Sequence, residues 1–455
     1  LNVDPGGTAL YGELYGTRAM REVWALPRRL RALLDVEVAL ARAEASCGII
    51  PAPAAEAIAL AASDLDRFDL GALVAGTEHV GYPVVPLTKQ LAKLAGPSAG
   101  RYVHWGATTQ DVIDTATVLQ LREAFALLDD DLSALIGALA RRARAHRDDV
   151  MAGRTHLQHA LPITFGYACA LWLAPLPQHR ARLRAAAEEA VLLQFGGAVG
   201  TLASLGARGR EVALALGREL DLPVPDLPWH VDRSAFANAV GTLGLLCGSL
   251  AKFATDVALL MQTEVAEVSE PHAPGRGGSS TMPQKRNPIA AEYVLANARA
   301  VRALVPVMLE AMSGDHQRST GPWQTEELAL PQAFVHASAA LAQALAIARG
   351  MTVDTARMRR NLDASGGLIV AEAVSMALAP HLGHDAAHTM VARAANEALE
   401  SGRSFLDALA AMPEITRHLD RAELERRLDP ARYTGEARAV VDRVTHLAQR
   451  SGDHR

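Results

Sequence analysis

Aromatic residues make up only 4% of this 455-residue chain, and cysteine occurs three times. Cys47, Cys169 and Cys247 lie far apart in apolar surroundings with no CxxC spacing. That excludes a disulfide framework or a thiolate zinc cluster and fits buried thiols in a reducing compartment. A basic surplus is also missing. Lys and Arg number 45 against 50 Asp and Glu, a formal charge of −5, so nothing points to nucleic acid or an anionic membrane surface as a partner. The N-terminal LNVDPGGTALYGELYG has neither a charged n-region nor an apolar h-region, so no export signal is expected. No uninterrupted apolar run reads as a bilayer span. A soluble, cytoplasmic protein is therefore expected. Repeated β-branched runs between helices are lacking as well, which argues against an α/β fold.

What the chain has in excess is Ala and Leu, which favour helix. After Asp114, the residues Val118, Leu121, Phe125, Leu128, Leu132, Leu135 and Leu139 recur in steps of three and four. They define one apolar stripe on a helix roughly twice the usual length of about three turns. Two further long helices are expected. One spans 234–268; the other opens at Asn287-Pro288 and runs to about Met312, with Pro306 bending or bounding it. Gly/Pro-rich breaks fall at 95–106, 150–162, 221–230, 271–288 and 313–322. The expected fold is all-α with a central long-helix bundle, divided as 1–104, 105–349 and 350–455.

Three polar stretches interrupt these helices: HWGATTQD (104–111), GRTHLQHALP (153–162) and GSSTMPQKRNP (278–288). Each has an ordinary explanation taken alone. Thr108 and Thr109 suit a helix cap, His156 a hydrogen-bonded histidine near a helix start, Ser279-Ser280 a linker, and Lys285-Arg286 a solvated pair. Together they supply hydroxyls, amides, an imidazole and cations, the equipment for polar chemistry on a carboxylate. No Cys/His spacing calls for a metal, and no organic cofactor is expected.

GSSTMPQKRNP resembles the signature loop of the fumarase/aspartase superfamily, with Gly-Ser-Ser-x-Met-Pro-x-Lys-x-Asn-Pro complete. GGAVGT (196–201) and the other two loops agree in order and spacing, so the likeness covers nearly the whole chain. Segments such as LLDVEVALARAEASCGIIP and LLQFGGAVGTLASLG place it nearest the 3-carboxy-cis,cis-muconate cycloisomerase and adenylosuccinate lyase branch. The resemblance implies a three-domain helical subunit and a homotetramer whose active sites combine the three loops from different subunits. The substrate would be a small dicarboxylate. Ser279 would be the general base, Lys285 and Asn287 the grip on the reacting carboxylate, and Ser280 and Met282 their neighbours in the same loop. Thr108, Thr109 and Gln110 would bind substrate carboxylate, and His156 would act as, or help supply, the proton donor to the leaving group, with Gln158 beside it. Arg233, after WHVD, matches an arginine used for substrate anchoring or loop interaction. Arg18, His79 and Tyr82 are candidates for shaping the leaving-group pocket, although a surface arginine, a capping histidine and a turn tyrosine would look the same.

Departures from the family pattern choose among reactions. The cycloisomerases used for comparison carry GRTW where this chain has GRTH, so His156 restores a lyase-like acid. Gln284 replaces the histidine of the adenylosuccinate lyase loop, and Glu327 stands at the position of a nucleotide-holding arginine. The first expectation is therefore C–N cleavage of a 2-substituted succinate to release fumarate, with nitrosuccinate a leading candidate substrate. The alternatives are a lactonising cycloisomerase, an adenylosuccinate lyase-like enzyme and a non-catalytic helical scaffold.

Overall fold

The computed structural model describes residues 10–271, 275, 277, 278 and 281–453. Helices dominate, as the composition requires. The chain divides into two compact units: 1–131, 178–250 and 293–342 form the first, and 132–177, 251–292 and 343–455 the second. The helices 109–145, 234–260, 289–310 and 322–350 each contribute residues to both.

The apolar stripe behaves as its spacing demands. All seven residues from Val118 to Leu139 lie in the helix Thr109–Ala145 and are buried. In the first unit Phe334 meets the Phe125 ring edge-on at 5.0 Å and packs on Trp24. The helix 26–46 packs there on 52–62 and 209–220. The second unit holds the C-terminal helices, whose core includes Val374, Leu378, Phe405, Leu409 and Ile415. Arg142 donates to the carbonyls of Ala348 (3.0 Å) and Arg349 (2.8 Å), covering the C-terminal end of the 322–350 helix, where carbonyls lack intrahelical partners.

Four expectations can be set against the described residues. The helix expected over 234–268 stops at Leu260, because Glu267 and Glu270 beyond it are drawn into tertiary contacts described below. Pro306, expected to bend or bound its helix, does not bound it: it lies inside Ile289–Glu310. The break expected at 95 falls at Gly96, whose φ 83° and ψ 167° are non-helical and separate two helical pieces within Val84–Gly100. Finally, among the described residues two helices are by length and composition apolar enough to cross a membrane, Ser234–Leu260 and Pro322–Gly350. Interspersed Gly, Ser and Thr hide these runs from inspection. Within the protein, 78% of the apolar window of the second is buried, against 56% for the first.

One stretch taken as a break is a β-hairpin. Strand β1 (Val150–Thr155) pairs antiparallel with β2 (Gln158–Thr164), with the register shifting between Ala152 and Arg154.

Candidate active site

The first signature loop is braced entirely within the first unit. Thr108 precedes the 109–145 helix, and its N–H donates to Asp111 Oδ2 (3.0 Å), half of a capping box. Asp111 also accepts from the N–H groups of Gly196 and Gly197 (2.9 Å each) and from Gln194 Nε2 (3.1 Å). Burial pushes its carboxyl up to about 6, against the pull of these donors. GGAVGT thus serves as a backbone cradle for Asp111. Gly200 fits there because a Cβ would meet the His230 ring at 2.5 Å.

Gln110 is buried, and its amide is in use. Nε2 donates to the His230 carbonyl (3.0 Å) and Oε1 accepts from Arg318, which also donates to the Ala198 carbonyl (2.7 Å). Gln110, expected to touch substrate, therefore organises the loop in this arrangement, while Thr108 and Thr109 are half-buried. Arg233, expected as a substrate anchor, is buried at 4% exposure. It lies between Asp114 (Nη1–Oδ2 2.7 Å) and Glu326 (Nε–Oε1 2.9 Å), with its guanidinium over the Trp229 and Phe236 rings. Trp323 Nε1 donates to Asp114 (3.1 Å), and Tyr82 stacks on Trp323 with ring centroids 5.7 Å apart. Of the three leaving-group candidates, Tyr82 joins this network. Arg18 is exposed and paired with Glu22 (2.7 Å), and His79 is exposed in the last turn of the helix 70–80.

Behind the same loop lies a pair of buried acids. His104 Nδ1 meets Glu37 Oε1 at 2.7 Å, whereas neither carboxyl oxygen of the fully buried Glu44 has a hydrogen-bond partner. Burial, and then the Glu37 charge, pushes the Glu44 carboxyl up to about 9. From the ordinary carboxyl range up to that value, the folded chain holds a proton that the unfolded chain releases, so stability falls as pH rises. Glu44→Gln is expected to be more stable than the wild type at pH 8 by roughly 2–4 kcal/mol, with the difference vanishing near pH 4. Urea unfolding at the two pH values measures this.

The second and third loops belong to the second unit. His156 and Leu157 form the two-residue turn of the hairpin, with φ of 52° and 63°. A turn with two positive φ angles suits Asn-Gly, so a His-Leu pair there is strained. The hairpin base is clamped: Arg154 forms a double ion pair with buried Glu267 (2.7 and 2.9 Å), which also accepts from Asn361 Nδ2 (2.8 Å). His156 and Gln158 are exposed on that rigid base.

In the third loop Asn287 N–H donates to the Gly277 carbonyl (2.9 Å), and Gly278 bridges to Arg286. Glu270 accepts from the N–H groups of Ala290 (2.9 Å) and Ala291 (2.7 Å), capping the helix that follows. Met282 and Lys285 are exposed and Asn287 half-buried. Ser279 and Ser280 lie outside the described residues. Asp114, Glu326, Arg318, Glu267 and Glu270 were not singled out from sequence. Only Asp111, three positions after Thr108, carried a readable capping signal.

The chain matches the family model described as Lyase over residues 14–303, and that of the adenylosuccinate lyase C-terminus over 367–444. It is a member of the fumarase/aspartase superfamily. A 3-carboxy-cis,cis-muconate cycloisomerase of Bradyrhizobium diazoefficiens is 45% identical over 444 residues, covering 97% of this chain and 98% of the relative. Pseudomonas enzymes of the same name match at equal identity. A nitrosuccinate lyase of Streptomyces davaonensis is 41% identical, covering 94% of this chain and 92% of the relative. The crystal structure of a fumarate lyase from Mesorhizobium sp. BNC1 is 46% identical with TM-score 0.89, covering 95% of this chain and 98% of that one. This superfamily member is an enzyme of the lyase or cycloisomerase type.

Proposed function

We propose that the enzyme cleaves the C–N bond of a 2-substituted succinate by β-elimination, releasing fumarate. The reading is carried by His156, a titratable side chain kept in a strained, exposed hairpin turn on a clamped base. Ser279 takes the proton next to the clamped carboxylate, and its hydroxyl must react as an alkoxide held by nearby cations and N–H groups. The extra charge passes to the carboxylate gripped by Lys285 and Asn287, where each well-placed donor contributes about 3–4 kcal/mol. Thr108 and Thr109 hold the second carboxylate, and His156 protonates the departing group. A homotetramer in the cytoplasm would bring the three loops together. Supporting that assembly, only 56% of the apolar window in the 234–260 helix is buried within one chain.

A second reading, lactonisation of 3-carboxy-cis,cis-muconate, has the stronger support from whole-chain likeness, because cycloisomerases match at 45% identity over nearly the full length. The same residues would serve it in the direction of addition: a substrate carboxylate oxygen closes on one alkene carbon while Ser279 gives its proton to the carbon next to the gripped carboxylate. Incubation with nitrosuccinate, N-substituted aspartates, adenylosuccinate and 3-carboxymuconate, following fumarate and muconate absorbance, separates the two. Fumarate from none of the succinates removes the elimination reading; rapid loss of carboxymuconate favours the second.

His156→Asn provides a sharper check, since Asn tolerates positive φ but cannot donate a titrating proton. Elimination of an amine is expected to slow about 10²–10³-fold. Elimination of nitrite, which needs little protonation, should slow far less. Equal losses for both leaving groups would remove His156 as the acid.

A further inference from the structure

The first unit contains a cavity of about 460 Å³, large enough for a small organic molecule. Its walls are largely apolar, with Trp24, Leu30, Leu33, Leu73, Val74 and Trp323 among them. Its charged groups are unbalanced. Asp114, Glu326, Glu327 and Glu78 line it, and among the described residues Arg29 is the one basic residue in the wall. Arg233 behind the wall is engaged by Asp114 and Glu326. Arg29 is also engaged, donating to Thr117 Oγ1 and Gln120 Oε1 at 2.9 Å each. Arg233 is thus committed on both sides and Arg29 through its Nη1 alone, so four carboxyls face two cations.

We propose that this cavity is a binding site for a protonated organic amine with an apolar body. The ammonium would approach Glu327 and Glu78, while the apolar body displaces water from the leucine and valine wall. Burial raises the carboxyls of both Glu326 and Glu327, and a cation beside them would relieve that cost. Position in the fold adds to the case. Asp114 lies four residues after Gln110 on the 109–145 helix, and Trp323 carries Tyr82 stacked upon it. The cavity thus adjoins the element that opens with the first signature loop. That the amine is the leaving group rests on the elimination reading; that the cavity binds it does not.

Trp24 and Trp323 in the wall provide a readout independent of turnover. The intact enzyme is titrated with benzylammonium, neutral benzyl alcohol and anionic benzoate, following tryptophan fluorescence and melting temperature. Benzylammonium is expected to bind saturably and at least about tenfold more tightly than either isostere. The double variant Glu78→Gln/Glu327→Gln should lose most of that preference. No saturable change up to ~10 mM ligand, equal binding of the alcohol or benzoate, or a preference that survives in the double variant would each overturn the proposal. Because fumarate release is assayed separately, amine binding without fumarate from any succinate would sink the elimination reading alone.

Discussion

Replacing Ser279 with Ala is expected to lower kcat by at least about 10³-fold, with little change in KM, melting temperature or circular dichroism. The framework that carries this serine makes the expectation specific. At the neck of its loop Asn287 N–H is bonded to the Gly277 carbonyl, and Gly278 is bridged to Arg286. Gly277 has φ 68°, and a Cβ there would meet the Asn287 carbonyl at 2.8 Å, so only glycine closes the neck without strain. Just beyond the loop, Glu270 fixes the first amides of the next helix. Thr281 to Arg286 are exposed on that closed base. Removing one hydroxyl therefore leaves the scaffold intact and deletes only the group assigned to take the proton. A loss confined to kcat is the mark of an interaction made in the transition state. Turnover within tenfold of wild type, with stability unchanged, would strip Ser279 of its role in proton transfer at carbon and take both proposed reactions with it.

The long helices were legible because their information is local and periodic. A stripe from Val118 to Leu139 has one way to be buried, and all seven residues are. The hairpin was not legible, for equally local reasons. Gly153, Pro162 and the register shift after Ala152 break the period-two alternation, and His-Leu is not a pair that announces a tight turn. The three polar loops could be found from composition and motif. What holds them could not be, since it depends on partners far away in the chain. Asp111 meets Gly196 and Gly197, 85 and 86 residues on. Arg154 meets Glu267 across 113 residues, which also explains why the expected 234–268 helix ends early. Arg233 shows the ambiguity best: its motif suggests a substrate anchor, and its two carboxylate partners emerge only when 114, 233 and 326 are brought together.

That ambiguity leads to the largest stability effect expected. Arg233→Met leaves Asp114 and Glu326, at 2% and 5% side-chain exposure, without their shared cation. Stripping one partner from a buried ion cluster typically costs about 3–5 kcal/mol, far more than the net worth of the intact cluster. Urea unfolding at pH 7.5 should show a loss of that order. The loss should narrow as pH falls, because protonating the stranded carboxyls removes the buried charge that penalises folding. Adding Asp114→Asn and Glu326→Gln to the same chain should recover most of the stability at pH 7.5. The consequences for activity then follow from the geometry. Asp114 accepts from Trp323 and lies one turn beyond Gln110, so a loosened cluster should disturb the first loop, and the neutral triple variant should regain part of the turnover. An anchoring arginine would behave in the opposite way. KM would rise by an order of magnitude or more with the unfolding curve unmoved, and neutralising Asp114 and Glu326 would restore nothing. Measuring stability and KM on the same two variants therefore decides whether Arg233 holds the substrate or holds the wall behind it.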